Sequence, residues 1–279
     1  MDQWLEAKIV TADGQLRVAN RAINQDLFWA IRGGGGGTFG VVVETTWKAH
    51  VNVPITGYNW YINSTITGPD ALDPETGRTP LSDAMQYLMS ELPDLQMKGV
   101  SAFIYVDISH VRCYAVHPGD ASGIAEANAA WGPILNKMQS FPNIKPFQTK
   151  PFEFDNYKDF FDITYGPLSN STQGQPRNHG VFPYDSRLLA PEHLRHPEIM
   201  NALSGAAGDY GILMTAPGPS QGSGEDTSAH PAWRRAVVHL VAAPDASGLR
   251  KLAPDMGAYI NEVGYTLNTL AAIYFVIVD

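Results

Sequence analysis

The stretch Asn24-Gln25-Asp26-Leu27-Phe28-Trp29-Ala30-Ile31-Arg32-Gly33-Gly34-Gly35-Gly36-Gly37-Thr38-Phe39-Gly40-Val41-Val42-Val43 decides how this chain folds. Its first part reads as a short helix: Asn24 is placed to cap it, and Leu27, Phe28 and Ile31 share one face at helical spacing. Its last part is β-branched and runs on through Glu44-Thr45-Thr46-Trp47-Lys48. The alternation predicts a strand with Val43, Thr45 and Trp47 on one face and Glu44, Thr46 and Lys48 on the other. Five consecutive glycines stand between helix and strand, and glycine loses more backbone entropy on ordering than any other residue. A flexible linker would carry polar, serine-rich flanks, whereas this run is clamped between apolar elements. An ordered turn is expected, one at which a bulky ligand or another backbone approaches the main chain.

Gly35 to Gly40 satisfies G-x-G-x-x-G, but that fingerprint follows a strand and opens a helix whose N-terminus holds a pyrophosphate. Here a helix enters and a strand leaves, so the Rossmann reading is rejected. No Lys-Ser or Lys-Thr follows the last glycine, which removes the Walker loop as well. What survives is a turn whose backbone N–H groups suit a polar or anionic cofactor edge.

Working outward, Ala7, Ile9 and Thr11 alternate with Lys8 and Val10 ahead of the turn Ala12-Asp13-Gly14, which predicts a hairpin. A boundary falls near residues 51–54, where Asn, Thr, Pro and Gly become frequent. Beyond it the patterning predicts helices over 81–92, 120–140, 156–161 and 191–203, the second with Ile124, Trp131, Ile134, Leu135 and Met138 as its buried stripe. Strands are expected over 100–108, 112–117, 211–215 and 236–242, an extended run over 144–154 and a polar loop over 166–180. Strands and helices mix without a regular β-α-β rhythm, so the fold class is α+β, an antiparallel sheet carrying helices on one face. The expected domains are 1–51, 52–255 and a returning segment, 256–279.

The 28 acidic and 19 basic residues give a net charge of -9, with no cluster of Lys and Arg to follow a phosphate backbone, so nucleic acid is not an expected partner. The longest strongly apolar stretch, 270–278, is about half the ~20 residues a membrane-spanning helix needs, and the opening MDQWLEAKIV lacks the pattern of a secretory signal. Neither a membrane nor a compartment is assigned. Cys113 is the single cysteine and is expected to be a buried free thiol. His193 and His196 lie three apart, without the H-E-x-x-H order or an evident third ligand, and no metal is expected. No G-x-S-x-G elbow occurs.

Three linked blocks carry a resemblance: Leu5-Glu6-Ala7-Lys8-Ile9-Val10-Thr11-Ala12-Asp13-Gly14, then residues 24–32, then the glycine turn through Thr38-Phe39-Gly40-Val41-Val42. Together they closely resemble the second part of the FAD domain of berberine-bridge-type FAD-linked oxidases, whose FAD-binding fold is of the PCMH or vanillyl-alcohol-oxidase type. The resemblance implies flavin contacts at Gly34, Gly35, Gly36, Gly37, Thr38, Phe39, Gly40, Val41 and Val42. It also implies an antiparallel-sheet substrate domain covered by helices. Ala258-Tyr259-Ile260-Asn261-Glu262 resembles the strand that returns from that domain and presents a Tyr and an Asn to the flavin. Tyr259 is thereby a candidate base or substrate donor, Glu262 a second candidate base and Asn261 a cofactor contact.

In that family the segment that grips the FAD pyrophosphate, often with a His and a Cys bonded to the flavin, precedes the block at Leu5. This sequence holds no counterpart, and its C-terminal tail also departs from the family, so the chain is expected to be truncated at both ends, with any FAD held non-covalently. The implied reaction is oxidation of a small-molecule alcohol, amine or secondary metabolite by hydride transfer to flavin, with O2 as electron acceptor. The competing expectation is a non-catalytic paralogue that binds a small molecule or a partner chain without FAD.

Overall fold

The computed structural model of the chain describes residues 2–35, 37–148, 151–165, 185–215, 226–242 and 245–259. Among these, 2–51 and 226–235 form one compact unit, and 52–215 and 236–259 form another.

The first unit is a three-stranded antiparallel sheet in the order β2-β1-β3, built from β1 (Trp4–Val10), β2 (Leu16–Asn20) and β3 (Val41–Trp47). The predicted hairpin is β1 and β2. Helix α1 (Gln25–Ile31) covers it, and Phe28 and Ile31 join Ala7, Ile9 and Ala19 in a small core with Trp4 and Leu27 packed against it. Burying each of the larger side chains stabilises the unit by roughly 1.5–3 kcal/mol. Asn24 holds the N-cap position with a φ of 47°, but its side chain does not cap α1. Its Nδ2 donates to the Val18 carbonyl at 2.7 Å instead.

β3 departs from simple alternation. Lys8 faces Glu44 while Ile9 faces Val42, so Val43 is the extra residue of a bulge. Parity flips there: Val42 and Thr45 share the face of Ile9 and Ala7, and Val41, Glu44 and Thr46 take the other.

The second unit is an eight-stranded antiparallel sheet. Its strands are β4 (Ile55–Ser64), β5 (Ser101–Val106), β6 (His110–Pro118), β7 (Ile144–Gln148), β8 (Phe152–Phe154), β9 (Asp185–Leu189), β10 (Tyr210–Met214) and β11 (Val238–Ala242). They run in the order β7-β4-β6-β5-β10-β11-β9, with β8 also paired to β4. The longer helices are α2 (Ser82–Met97), α3 (Ile124–Gln139) and α4 (Tyr157–Tyr165), and the shorter ones α5 (Pro191–Leu194), α6 (Ile199–Ala202) and α7 (Ser247–Leu252). The single helix expected over 191–203 is thus two, separated at Pro197, which has no N–H to continue the ladder.

One face of this sheet is packed. Trp131 of α3 lies 5.5 Å from the Trp60 ring and 6.4 Å from that of Tyr58, and its Nε1 donates to His117 Nε2 at 3.0 Å. Cys113 is a buried free thiol on that face, its pKa pushed well up by burial. No helix among the described residues is long and apolar enough to cross a membrane.

Residues 226–235, inside the span 52–255 expected as one domain, group with the first unit, where they meet the end of α1. Ser228 donates from its N–H to the Trp29 carbonyl at 3.2 Å and from its hydroxyl to that of Ala30 at 2.7 Å, satisfying acceptors that a helix end leaves open.

Candidate functional site

The glycine turn begins on a fixed base. Arg32 is buried, its guanidinium 4.2 Å from the Phe28 ring centroid and bonded to the Asp226 carbonyl, with the Asp226 carboxylate 3.5 Å away. A methyl group on Gly33 would stand 2.0 Å from the Ala229 nitrogen, so Gly33 is glycine because another backbone lies against it. Gly34 donates its N–H to the Ala30 carbonyl at 2.9 Å, and a Cβ there would meet the Phe39 ring at 2.5 Å. That N–H is therefore committed to ending the helix.

The following positions differ. Gly35 and Gly37 have φ values of +87° and +74°, a region that side chains resist, and nothing lies within 4 Å of a Cβ built on Gly37. Gly40 closes the turn at φ +145°, with a Cβ position 2.3 Å from the Val10 carbonyl oxygen. Gly36 lies outside the described residues. Gly35, Gly37 and Thr38 are exposed, Phe39 is 36% exposed, and every β3 residue except half-buried Thr45 faces solvent, Val41 at 67%. The eight described residues among the nine expected to touch flavin thus divide in two. Gly34 and Gly40 are explained by packing inside the unit, while Gly35, Gly37, Thr38, Phe39, Val41 and Val42 offer an open backbone and apolar surface.

Tyr259 belongs to the second unit. Its N–H donates to Ser186 Oγ at 3.3 Å, and its ring meets His239 edge-on with centroids 5.8 Å apart. Gly257 beside it accepts from the Leu188 N–H at 2.8 Å, so the segment runs along β9, although Ala258 and Tyr259 are not in a strand. Arg187 fixes the approach by donating to the Ala253 carbonyl at 2.9 and 2.6 Å and to that of Pro254 at 3.0 Å. The phenol is 40% exposed. Burial holds His239 down to about 4, so its imidazole is neutral at pH 7. Asn261 and Glu262 lie outside the described residues.

Around this edge the sheet presents a second, more open face that sequence reasoning did not single out. Registers align Ser186 with Val241, and Tyr105 with Arg112, which in turn faces Tyr61. One step along, Leu188 pairs with His239, His239 with Leu213, Leu213 with Phe103 and Phe103 with Tyr114. The signal was present in Ser101-Ala102-Phe103-Ile104-Tyr105 and His110-Val111-Arg112-Cys113-Tyr114: alternate positions are aliphatic, small or sulfur-bearing on one side and aromatic or cationic on the other. The two candidate histidines of 191–203 have local tasks, since His193 Nδ1 accepts from the Ala190 N–H and His196 Nδ1 from that of Glu198, each at 3.1 Å.

The fold is shared with solved VAO-type flavoproteins. MtVAO713 of Myceliophthora thermophila, one of these, superposes with a TM-score of 0.81 at 26% identity, over 98% of this chain and 52% of its own. Among curated proteins, the FAD-linked oxidoreductase easE of Trichophyton verrucosum is 31% identical across 86% of this chain and 40% of its own length. The FAD-linked oxidoreductase ZEB1 of Gibberella zeae is 28% identical across 95% of this chain and 48% of its own. No family model matches the chain. By sequence and fold together the chain belongs with the FAD-linked oxidoreductases of VAO type. It spans about half the length of the curated relatives it matches.

Proposed function

We propose that this chain takes part in FAD-linked oxidation of a small molecule, binding one edge of FAD along residues 35–42 and offering the open sheet face of the second unit to the substrate. The observation that carries the reading is the combination at the turn. Gly35 and Gly37 hold positive φ values, open space surrounds Gly37, and the strand that follows leaves Val41 and Val42 exposed. An apolar planar ring edge with polar carbonyls fits a surface that joins one exposed valine side chain to the backbone of the turn. When bound, FAD supplies the hydride acceptor of an oxidase, with O2 restoring it.

For the substrate, Tyr259 is the proposed base or donor. To serve as the base, Tyr259 must hand its proton on through a hydrogen-bonded relay. His239, at about 4, is too weak a base to take it, and its part is to hold the Tyr259 ring. Asn261 and Glu262 remain proposed as cofactor contact and second base. The substrate is an alcohol, amine or secondary metabolite.

One observation favours the second reading, a non-catalytic paralogue that binds a small molecule or partner chain without FAD. Arg17 is held by Asp13, Arg21 and Arg32 by Asp226, and Arg234 by Asp2, so these four cations of the first unit are not available to a diphosphate. Flavin titration separates the readings. Purified chain should show visible flavin bands or quench added FAD with saturation, and Val41→Glu should weaken that binding about tenfold, equivalent to ~1.4 kcal/mol. A chain that neither carries nor takes up FAD ends the oxidase reading.

A further inference from the structure

We propose that Arg112, framed by Tyr61, Tyr105 and Tyr114, is a subsite for an aromatic carboxylate. The proposal deepens the reading of the open sheet face as a substrate surface by naming the substrate class; it rests on that reading for turnover, while binding itself needs no flavin.

The argument starts from charge. Carboxylates outnumber cations 28 to 19 in this chain, and its arginines are correspondingly occupied. Arg17, Arg21, Arg32, Arg78, Arg195, Arg234 and Arg250 each meet an aspartate, and Arg187 is spent on backbone carbonyls. Arg112 is exposed and has neither an ion pair nor a side-chain hydrogen bond among the described residues. Arg112 is thus a guanidinium that no carboxylate of the described residues neutralises, and it is open to a carboxylate that binds.

The surroundings specify what binds. Arg112 lies directly opposite Tyr105 on β5 and opposite Tyr61 on β4, so all three share one face. Tyr114 is two residues along the same strand and therefore on that face too. Its ring stands edge-on to both neighbours, with centroids 6.2 Å from Tyr105 and 6.4 Å from Tyr61. Phe103 extends the aromatic surface, 4.4 Å from Tyr105. Tyr105 and Tyr114 expose 45% and 39% of their surface. Burial, then the hydrogen bond with Tyr114, raises the pKa of the Tyr61 phenol, and the positive charge of Arg112 opposes that rise. The cation therefore acts into the aromatic frame.

The frame spans three strands, β4, β6 and β5, or about 9–10 Å at the usual strand spacing, which accommodates a single or fused ring. A guanidinium binds a carboxylate in a fork, two parallel N–H···O bonds in one plane. One positive charge balances a carboxylate and leaves a phosphate dianion half neutralised.

Calorimetric titration of the full chain without added flavin, at low salt, tests this with phenylacetate, phenylacetamide and acetate. Phenylacetate should bind about tenfold or more tighter than either control, because the amide lacks the charge and acetate the ring. Arg112→Gln should reduce phenylacetate to the level of phenylacetamide, and Arg112→Lys should recover part of the difference as a point charge without the fork. Tyr105→Leu should weaken phenylacetate and leave acetate unchanged. Equal binding of phenylacetate and phenylacetamide, undiminished binding by Arg112→Gln, or no binding of phenylacetate overturns the proposal. A chain that refuses FAD yet discriminates phenylacetate from its amide through Arg112 sinks the oxidase reading and leaves this one standing.

Discussion

Replacing Gly33 by alanine should detach residues 226–229 from the end of α1. The new methyl would sit 2.0 Å from the Ala229 nitrogen and 2.3 Å from the Ser228 carbonyl carbon, both backbone atoms with no rotamer to escape into. Non-bonded heavy atoms rest about 3.5–4 Å apart, so the 228–229 backbone must retreat by well over an ångström. Two hydrogen bonds break with that retreat, Ser228 N–H to Trp29 and Ser228 hydroxyl to Ala30, at ~1 kcal/mol each. Residual crowding adds about 1–2 kcal/mol. The sum is a loss of about 3–4 kcal/mol in local stability, read as faster hydrogen exchange at the Ser228 and Arg32 amides. Gly37→Ala is the control: it has no neighbour within 4 Å, and only its φ of +74° costs, about 1–2 kcal/mol. Ser228→Ala should add little once Gly33→Ala is present, because the bonds are already gone. Equal effects of Gly33→Ala and Gly37→Ala, or full additivity with Ser228→Ala, would refute the account of Gly33 as a close-approach residue.

Other expectations follow from the same geometry. Burial lowers His117 and His239 to about 4 in the folded chain, against about 6.5 unfolded. The unfolded state therefore binds more protons between these values: the stability is fully present above about pH 6.5 and is lost as pH falls toward 4, by up to ~1.4 kcal/mol per unit for each histidine. Urea titrations across that window should show a slope that shrinks in His117→Gln and again in the double variant with His239→Gln; an unchanged slope rejects the assignment. Arg187→Met should release residues 253–259, so that exchange protection falls at the Leu188 and Tyr259 amides while β5 and β6 are unaffected. Unaltered protection at Leu188 would mean that the segment is held by other contacts. Gly57→Ala would place a Cβ 2.2 Å from the Phe152 ring and should cost about 1–3 kcal/mol, with Phe152→Leu restoring part of it. Absence of rescue would locate the strain elsewhere.

The elements that the sequence made legible are those whose patterning answers to one buried side. Helix α3 carries its apolar residues on one stripe, and Ala127, Ala130, Trp131, Ile134, Leu135 and Met138 are its buried positions. Ile124, expected in that stripe, is 43% exposed because it opens the helix before the stripe reaches the sheet. β4 was not legible. Ile55-Thr56-Gly57-Tyr58-Asn59-Trp60 reads as turn-rich, yet it is a ten-residue strand within the sheet, paired to β6 on one side and to β7 and β8 on the other. Its glycine is explained by the Phe152 ring pressed against it, a contact that only the fold reveals. β9 is buried at all five positions and includes Asp185, Ser186 and Arg187, so no hydrophobic period marks it. The glycine turn was legible as a turn; its reading as a flavin edge rests on the resemblance and is a proposal. That Gly33 and Gly40 serve the protein's own packing, and Gly35 and Gly37 the backbone angles, required the coordinates. Arg112 was hidden for another reason. Its significance lies in having no ion pair among the described residues, and a pairing is a property of three dimensions.

The join between α1 and Ser228 also sets a schedule. Ser228 and Ala30 are 198 residues apart, so the helix end must wait for the intervening residues before Ser228 adds its bonds to carbonyls that Arg32 and Gly34 already meet. At about 5–20 residues per second of synthesis, that interval is roughly 10–40 s, during which β4, β5, β6 and α3 can already pair and pack with one another. The glycine turn is thus translated well before the backbone that packs against Gly33. A nascent chain carries it exposed through the interval, so chaperone demand and proteolytic nicking during synthesis should concentrate near residue 33, ahead of the sheet that follows it.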